Sequence, residues 1–192
     1  RVKAVAGYTL ERVGEQLRLN AISVACKSGS RETYLACIAR VAVLWDGAIV
    51  VRTDDSALLM AASEALKGRK PILASATPET VGPLCEAAKA NGSVLALAAD
   101  NFNALVAMVD ACMTADFRDI LLELRADSLC EHLQNHIIMR RGALKTGLKT
   151  LGYPSLTYVN SGDAMDDAVE AGLEITKYGG VVILPEFDPA VM

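Results

Sequence analysis

The sequence predicts an α/β fold in which parallel strands alternate with covering helices, an incomplete TIM-type (β/α)8 barrel. Three observations predict it. Seven short apolar runs recur along the chain: "AISVA" (21–25), "AIVV" (48–51), "PILAS" (71–75), "VLALAA" (94–99), "ILLEL" (120–124), "LTYV" (156–159) and "VVIL" (181–184). Each is too short for a helix and rich in Val, Ile or Leu, which suits a strand buried on both faces. Amphipathic segments with their own start and stop signals separate the runs. The strand starts mostly fall roughly two dozen residues apart, as repeated βαβ crossovers require. A ring of eight such units is the natural closure; an open doubly wound sheet of seven strands is the structural alternative.

Taken in order, "VKAVAGYTLERVGEQLRL" (2–19) reads as a helix, with Val5, Val13 and Leu17 at helical spacing. After the first strand, "SGSRE" (28–32) is a strand-to-helix turn, and Ile38, Val41, Ala42 and Trp45 mark a core-facing helix stripe. Asp55 can cap "SALLMAASEALK", which Gly68 ends. Thr77-Pro78 reads as a cap and first helical residue, closed by Gly92. Asp100 can cap "NFNALVAMVDACM". Ser128 and Glu131 have the spacing of a capping box at the head of the next helix, where Leu129, Leu133, Ile137 and Leu144 form the expected buried stripe. Asp163 can cap "AMDDAVEAGLEITKY", ended by Gly179-Gly180, and Asp188-Pro189 reads as the start of another helix. A helix without a preceding strand and a strand without a following helix imply that the first strand and last helix of the barrel are missing. The expectation is therefore one barrel domain, residues 1–192, cut from a longer subunit.

Composition narrows the function classes. The chain is 52% hydrophobic with a net charge of -4 and no dense basic stripe, which argues against nucleic acid as a partner. No apolar run approaches the ~18–20 residues that span a bilayer, so no membrane partner is expected. The five cysteines are scattered with no C-x-x-C pair, which excludes a locally built zinc ribbon or iron–sulfur cluster and suits a reducing cytoplasm.

Function in a parallel barrel concentrates where strands end and helices begin. Those positions hold Lys27, Asp54, Asp55, Ser75, Thr77, Asp100, Asn101, Arg125, Asp127, Asn160, Ser161, Asp163 and Glu186. Several are also candidate helix caps. Asp54, Asp100, Arg125 and Asn160 are the rim candidates for binding a ligand; no catalytic residue and no metal ligand is assigned. His132 and His136, the two histidines of the chain, share one side of a helix, but nothing local completes a zinc site. They are expected on a partly solvated flank. The single-glycine turns "SGSRE" and "NSGD" match neither dinucleotide nor P-loop patterns.

In their order along the chain, "ERVGEQLRLNAISV" (11–24), "KPILASAT" (70–77), "IMRRGAL" (138–144), "LGYPSLTYVNSGD" (151–163) and "ITKYGGVVIL" (175–184) carry a family resemblance. The chain resembles the barrel domain of the large (gamma) subunit of the corrinoid iron–sulfur protein of the acetyl-CoA decarbonylase/synthase (CO dehydrogenase/acetyl-CoA synthase) system. The resemblance implies one-carbon metabolism of the Wood–Ljungdahl type in an anaerobe. A methyl group would pass on a cobalamin-type corrinoid from a methylated tetrahydropterin to acetyl-CoA synthase. It further implies a corrinoid and a four-iron cluster in the full-length subunit, neither assignable to residues of this chain. The implied partners are the small barrel subunit, acetyl-CoA synthase and a methyltransferase. One departure is "LRADS" (124–128), where the family tends to carry a D-P-G-type turn. That departure keeps two other readings in play: a stand-alone pterin-dependent methyltransferase-like barrel enzyme, and a divergent copy kept for subunit interaction.

Overall fold

The structure, a computed structural model, describes residues 1–189, so the continuation of the helix expected from Asp188-Pro189 lies outside the described residues. Residues 2–19 do not form the expected long helix. Helix α1 (Val2–Ala6) lasts little more than a turn, and β1 (Leu10–Arg12) pairs antiparallel with β2 (Glu15–Leu17). The turn between them is Val13-Gly14, with φ of 52° and 81°, the positive values that a two-residue hairpin loop of type I′ demands. Gly7 and Gly14 explain the difference, since each opposes a helix by about 1 kcal/mol relative to alanine. Val5 packs on the core, whereas Val13 is 103% exposed at the hairpin tip, so the apparent helical stripe joins residues that never share a face.

All seven apolar runs are strands. They alternate with helices as β3 (Ala21–Ala25), α2 (Arg31–Leu44), β4 (Ala48–Arg52), α3 (Ser56–Ala65), β5 (Ile72–Ala76), α4 (Val81–Asn91), β6 (Val94–Ala99), α5 (Phe102–Thr114) and β7 (Ile120–Leu124). There follow α6 (Leu129–Lys145), β8 (Leu156–Tyr158), α7 (Ala164–Thr176) and β9 (Val181–Ile183). Strands β3 to β7 lie side by side in chain order, all parallel, and β8 pairs parallel with β9. A parallel bridge from Leu122 to Ser155 links the two groups. Order that never reverses is barrel order; a doubly wound sheet reverses at a switch point. The fold is a partial TIM barrel. No ladder joins β3 to β9 among the described residues. Tyr8, ahead of β3, nonetheless meets Phe187, beyond β9, with ring centroids 5.4 Å apart and the rings edge to face.

Alternation along the strands sorts the core into two shells. Ile49, Val51, Leu73, Leu95, Leu97 and Leu122 face outward and pack under the helices with Ile38, Leu59, Leu84 and Leu105. Val50, Ile72, Ala74, Ala96, Leu121 and Leu156 face inward and fill the lumen. This double burial is why the strands read as unbroken apolar runs. Gly47 is needed where the chain enters β4, because a Cβ there would sit 2.7 Å from the Trp45 ring and 2.8 Å from the Asn20 carbonyl oxygen.

Most helix signals hold. Asp55 Oδ1 accepts from the Ala57 and Leu58 N–H groups, Asp163 Oδ1 from Met165 and Asp166, and Ser128 Oγ from Glu131. Gly92 closes α4 at φ 70°. Two differ. Asn101, not Asp100, caps α5, its Oδ1 accepting from the Ala104 N–H at 2.9 Å. Helix α4 begins at Val81 rather than at Pro78, because the Thr80 hydroxyl turns back to accept from the Thr77 N–H at 2.9 Å.

Helix α6 departs from its expected stripe, and both α6 and α7 turn polar side chains inward. In α6 the buried residues are Asn135, His136 and Met139, while Leu144 is exposed and Leu129, Leu133 and Ile137 are half-buried. In α7, Asp167, Ala171 and Glu174 turn inward, and Met165, Val169 and Ile175 outward. The reason is a polar joint between the two helices. His136, 6% exposed, lies 3.2 Å through Nδ1 from both Glu174 Oε2 and the Lys177 carbonyl oxygen. Both neighbours are acceptors, so Nδ1 carries the proton. Glu174 is 0% exposed; its Oε2 also accepts from Thr157 Oγ1 at 3.2 Å, and its Oε1 is buried without a partner. His136 is thus a buried joint rather than a solvated flank.

Candidate functional site

The C-terminal ends of β4, β5, β7 and β8 gather a polar cluster at the top of the otherwise apolar lumen. Glu123 ends the inward row of β7, and Arg52 and Tyr158 do the same for β4 and β8, as the registers show. A register irregularity between Leu73 and Ala76 lets Ser75 join them, although Ala74 already faces the lumen. Ser75 Oγ donates a short hydrogen bond to Glu123 Oε2. The Arg52 guanidinium carbon lies over the Tyr158 ring, 3.8 Å from its centroid, within range of a cation–π attraction. Below them, Ala74, Ala96 and Ala98 keep the floor small.

Burial sets the protonation tendencies here. Glu123 is only 8% exposed, and burial pushes its carboxyl pKa up, while the Ser75 hydroxyl and the charges of Arg52, Arg125 and His132 pull it back. Burial, reinforced by Glu123, also drives the Tyr158 phenol upward, so it stays protonated. The Tyr158 hydroxyl is buried and makes no well-formed hydrogen bond, although the Ser75 hydroxyl lies near enough to pull its pKa back down. Tyr34 props the lip from behind, donating to the Val24 carbonyl oxygen at 2.9 Å with the Arg52 carbonyl oxygen at 3.2 Å; burial raises its pKa to about 12.

Two adjoining cavities share Arg52, Glu123 and Arg125. One, about 120 Å³, is also lined by Asp54, Ser75 and Thr77. The other, about 310 Å³, is also lined by Asp127, His132 and Tyr158. Of the rim candidates, Asp54 and Arg125 meet at the first cavity. Asp100 joins through Arg125, whose Nη1 donates to Asp100 Oδ1 at 3.4 Å. Asn160 stands apart, in a groove of about 580 Å³ between α7 and the segment after β9. The rim reading missed Arg52, Glu123 and Tyr158, which lie one layer deeper. Their signal was present: a charge inside "ILLEL" and another closing "AIVVR" are polar residues on strands buried on both faces.

The five cysteines do not gather at one site, although the Cys85 and Cys112 thiols are neighbours. Cys85 and Cys112 are buried, with burial pushing both thiols up, while Cys37 and Cys130 are exposed and Cys26 is half-buried. Among the described residues no group of three or more His, Cys, Asp or Glu side chains could hold a metal ion, so the residues present do not fit a four-iron cluster. No helix among them is long and apolar enough to cross a membrane.

Known proteins extend this picture. The chain is 26% identical over 184 residues to the corrinoid/iron–sulfur protein large subunit of Moorella thermoacetica, covering 96% of this chain and 41% of that protein. It is 27% identical over 205 residues to the acetyl-CoA decarbonylase/synthase complex subunit gamma of Archaeoglobus fulgidus, covering all of this chain and 43% of the relative. The chain therefore spans less than half the length of these curated relatives. Among solved structures, a Yersinia pestis DHPS determined with a pterin–sulfa conjugate superposes with a TM-score of 0.61 at 13% identity, over 94% of this chain and 93% of the other. At that identity the likeness is one of fold. The model of the family described as CO dehydrogenase/acetyl-CoA synthase delta subunit matches residues 1–192, and the chain belongs to that family.

Proposed function

We propose that this chain is the barrel domain of a corrinoid iron–sulfur methyl-carrier subunit. In that role it is one part of a longer subunit and acts as scaffold and docking surface. The observation that carries the reading is the similarity of 96% of the chain to a corrinoid/iron–sulfur protein large subunit, joined to the family match and a barrel fold. The full-length subunit would hold the corrinoid and the four-iron cluster outside these residues, since no cysteine cluster forms here. Methyl groups would pass from a methyltetrahydropterin to the cobalt and on to acetyl-CoA synthase, in the cytoplasm. The cofactor supplies the transfer chemistry, and the protein positions it. The partners are the small barrel subunit, acetyl-CoA synthase and the methyltransferase. Asp54, Asp100 and Arg125 belong to the barrel mouth in this scheme, and Asn160 to the α7 groove.

The experiment is an absorption spectrum and metal analysis of the purified full-length protein. Stoichiometric cobalt with the visible bands of a corrinoid, and co-purification with a second barrel subunit, are the expected results. A colourless, cobalt-free full-length protein that remains folded would overturn the carrier reading.

A further inference from the structure

The barrel mouth holds a polar arrangement that a scaffold does not require. We propose that it is a binding site for a small organic carboxylate, gripped by the Arg52 guanidinium and the Tyr158 hydroxyl. This inference goes beyond the carrier reading and does not rest on it.

The Arg52 guanidinium carbon sits over the Tyr158 ring, 3.8 Å from its centroid, and that contact holds the side chain at the mouth. Arg52 makes no ion pair within 4.0 Å among the described residues. A guanidinium held over a ring and free of an ion pair is positioned for the two-pronged contact that a carboxylate accepts. The Tyr158 hydroxyl is buried with no well-formed hydrogen bond, the Ser75 hydroxyl being its near neighbour, and a ligand oxygen would complete its bonding. Beside both, the Glu123 carboxyl keeps one oxygen on Ser75 and lines both cavities.

The surrounding charges select among ligands. Arg52, Arg125 and His132 stand against a cationic ligand. Arg125 is already paired with Asp100, and Asp54 and Asp127 line the cavities, so a dianion such as phosphate meets too little positive charge. A monoanion balances Arg52. The cavities of about 120 and 310 Å³ limit it to a few-carbon or single-ring acid. Glu123 responds to the arriving charge: its buried carboxyl already holds its proton more tightly than usual, and a neighbouring anion strengthens that hold. Carboxylate binding is therefore coupled to proton uptake.

The test is isothermal titration calorimetry of the purified full-length protein with acetate and benzoate, using acetamide and benzamide as neutral probes of matched shape. The acids are expected to bind and the amides not. Arg52→Gln weakens acid binding at least about tenfold, the size of one lost charge-assisted contact, with an unchanged circular dichroism spectrum. At mildly acidic pH the binding heat differs between phosphate and Bis-Tris buffers, which reports proton uptake, and Glu123→Gln abolishes that difference. Should Arg52→Gln fail to fold, Tyr158→Phe, which removes one oxygen atom, decides by a several-fold loss. Amides binding as well as acids, no heat from either acid, or parental affinity in Tyr158→Phe would each overturn the proposal. None of these results bears on whether the full-length protein contains a corrinoid.

Discussion

Replacing His136 with leucine tests the joint between α6 and α7. The substitution removes the Nδ1–H that lies 3.2 Å from Glu174 Oε2 and from the Lys177 carbonyl oxygen. Glu174, with 0% exposure and Oε1 already lacking a partner, would keep only the Thr157 hydroxyl. Breaking a buried pair from one side costs about 3–5 kcal/mol, because the remaining group stays buried and uncompensated. In a chain of this size that corresponds to a Tm lowered by roughly 6–20 °C. Replacing all three polar partners at once (His136→Leu, Glu174→Leu and Thr157→Val) should recover most of the loss, since an apolar set of similar volume carries no desolvation penalty. Urea and thermal unfolding of parent, single and triple variants measure both effects. A His136→Leu protein within 1 kcal/mol of the parent (roughly one-third of the smallest expected loss), or a triple variant no better than the single, would refute the reasoning.

Two further outcomes follow from the structure. Glu123 holds its proton more tightly folded than unfolded, so stability falls as pH rises from the ordinary carboxyl range through the raised folded pKa, then levels off. Glu123→Gln should flatten that decline and raise the urea midpoint at neutral pH; an unchanged pH profile would contradict the burial argument. At the hairpin tip, Val13 holds φ 52° with a β-branched side chain fully in solvent. Val13→Asn should stabilise the fold by about 0.5–1 kcal/mol, since asparagine tolerates the left-handed region better, read as a shift of the denaturation midpoint with unchanged slope.

The strands were legible because parallel strands covered on both sides can use little but Val, Ile, Leu and Ala. "ILLEL" and "VLALAA" match β7 and β6 residue for residue. The amino-terminal hairpin was not legible, because its turn is Val-Gly rather than Asn-Gly and its apolar residues fall at helical intervals by chance. The buried face of α6 was misjudged for a different reason. Periodicity assigns apolar side chains inward, whereas His136 and Glu174 go inward together because each satisfies the other. At the mouth, Asp54, Asp100 and Arg125 could be read from their place just after strands. Arg52, Glu123 and Tyr158 required knowing which strand face lines the lumen, which the two-residue period gives only once the pairing register is known.

The edge-to-face contact of Tyr8 with Phe187 ties together residues from near opposite ends of the chain. Such a clasp closes a loop that spans most of the chain, so its entropic cost falls late in folding. One aromatic pair holds weakly against that cost, and its release would bare the outer backbone of β3 and β9 together. Hydrogen exchange at those two rows of amides should therefore rise and fall in step, a cooperative opening set by a single latch rather than by two independent frayed borders.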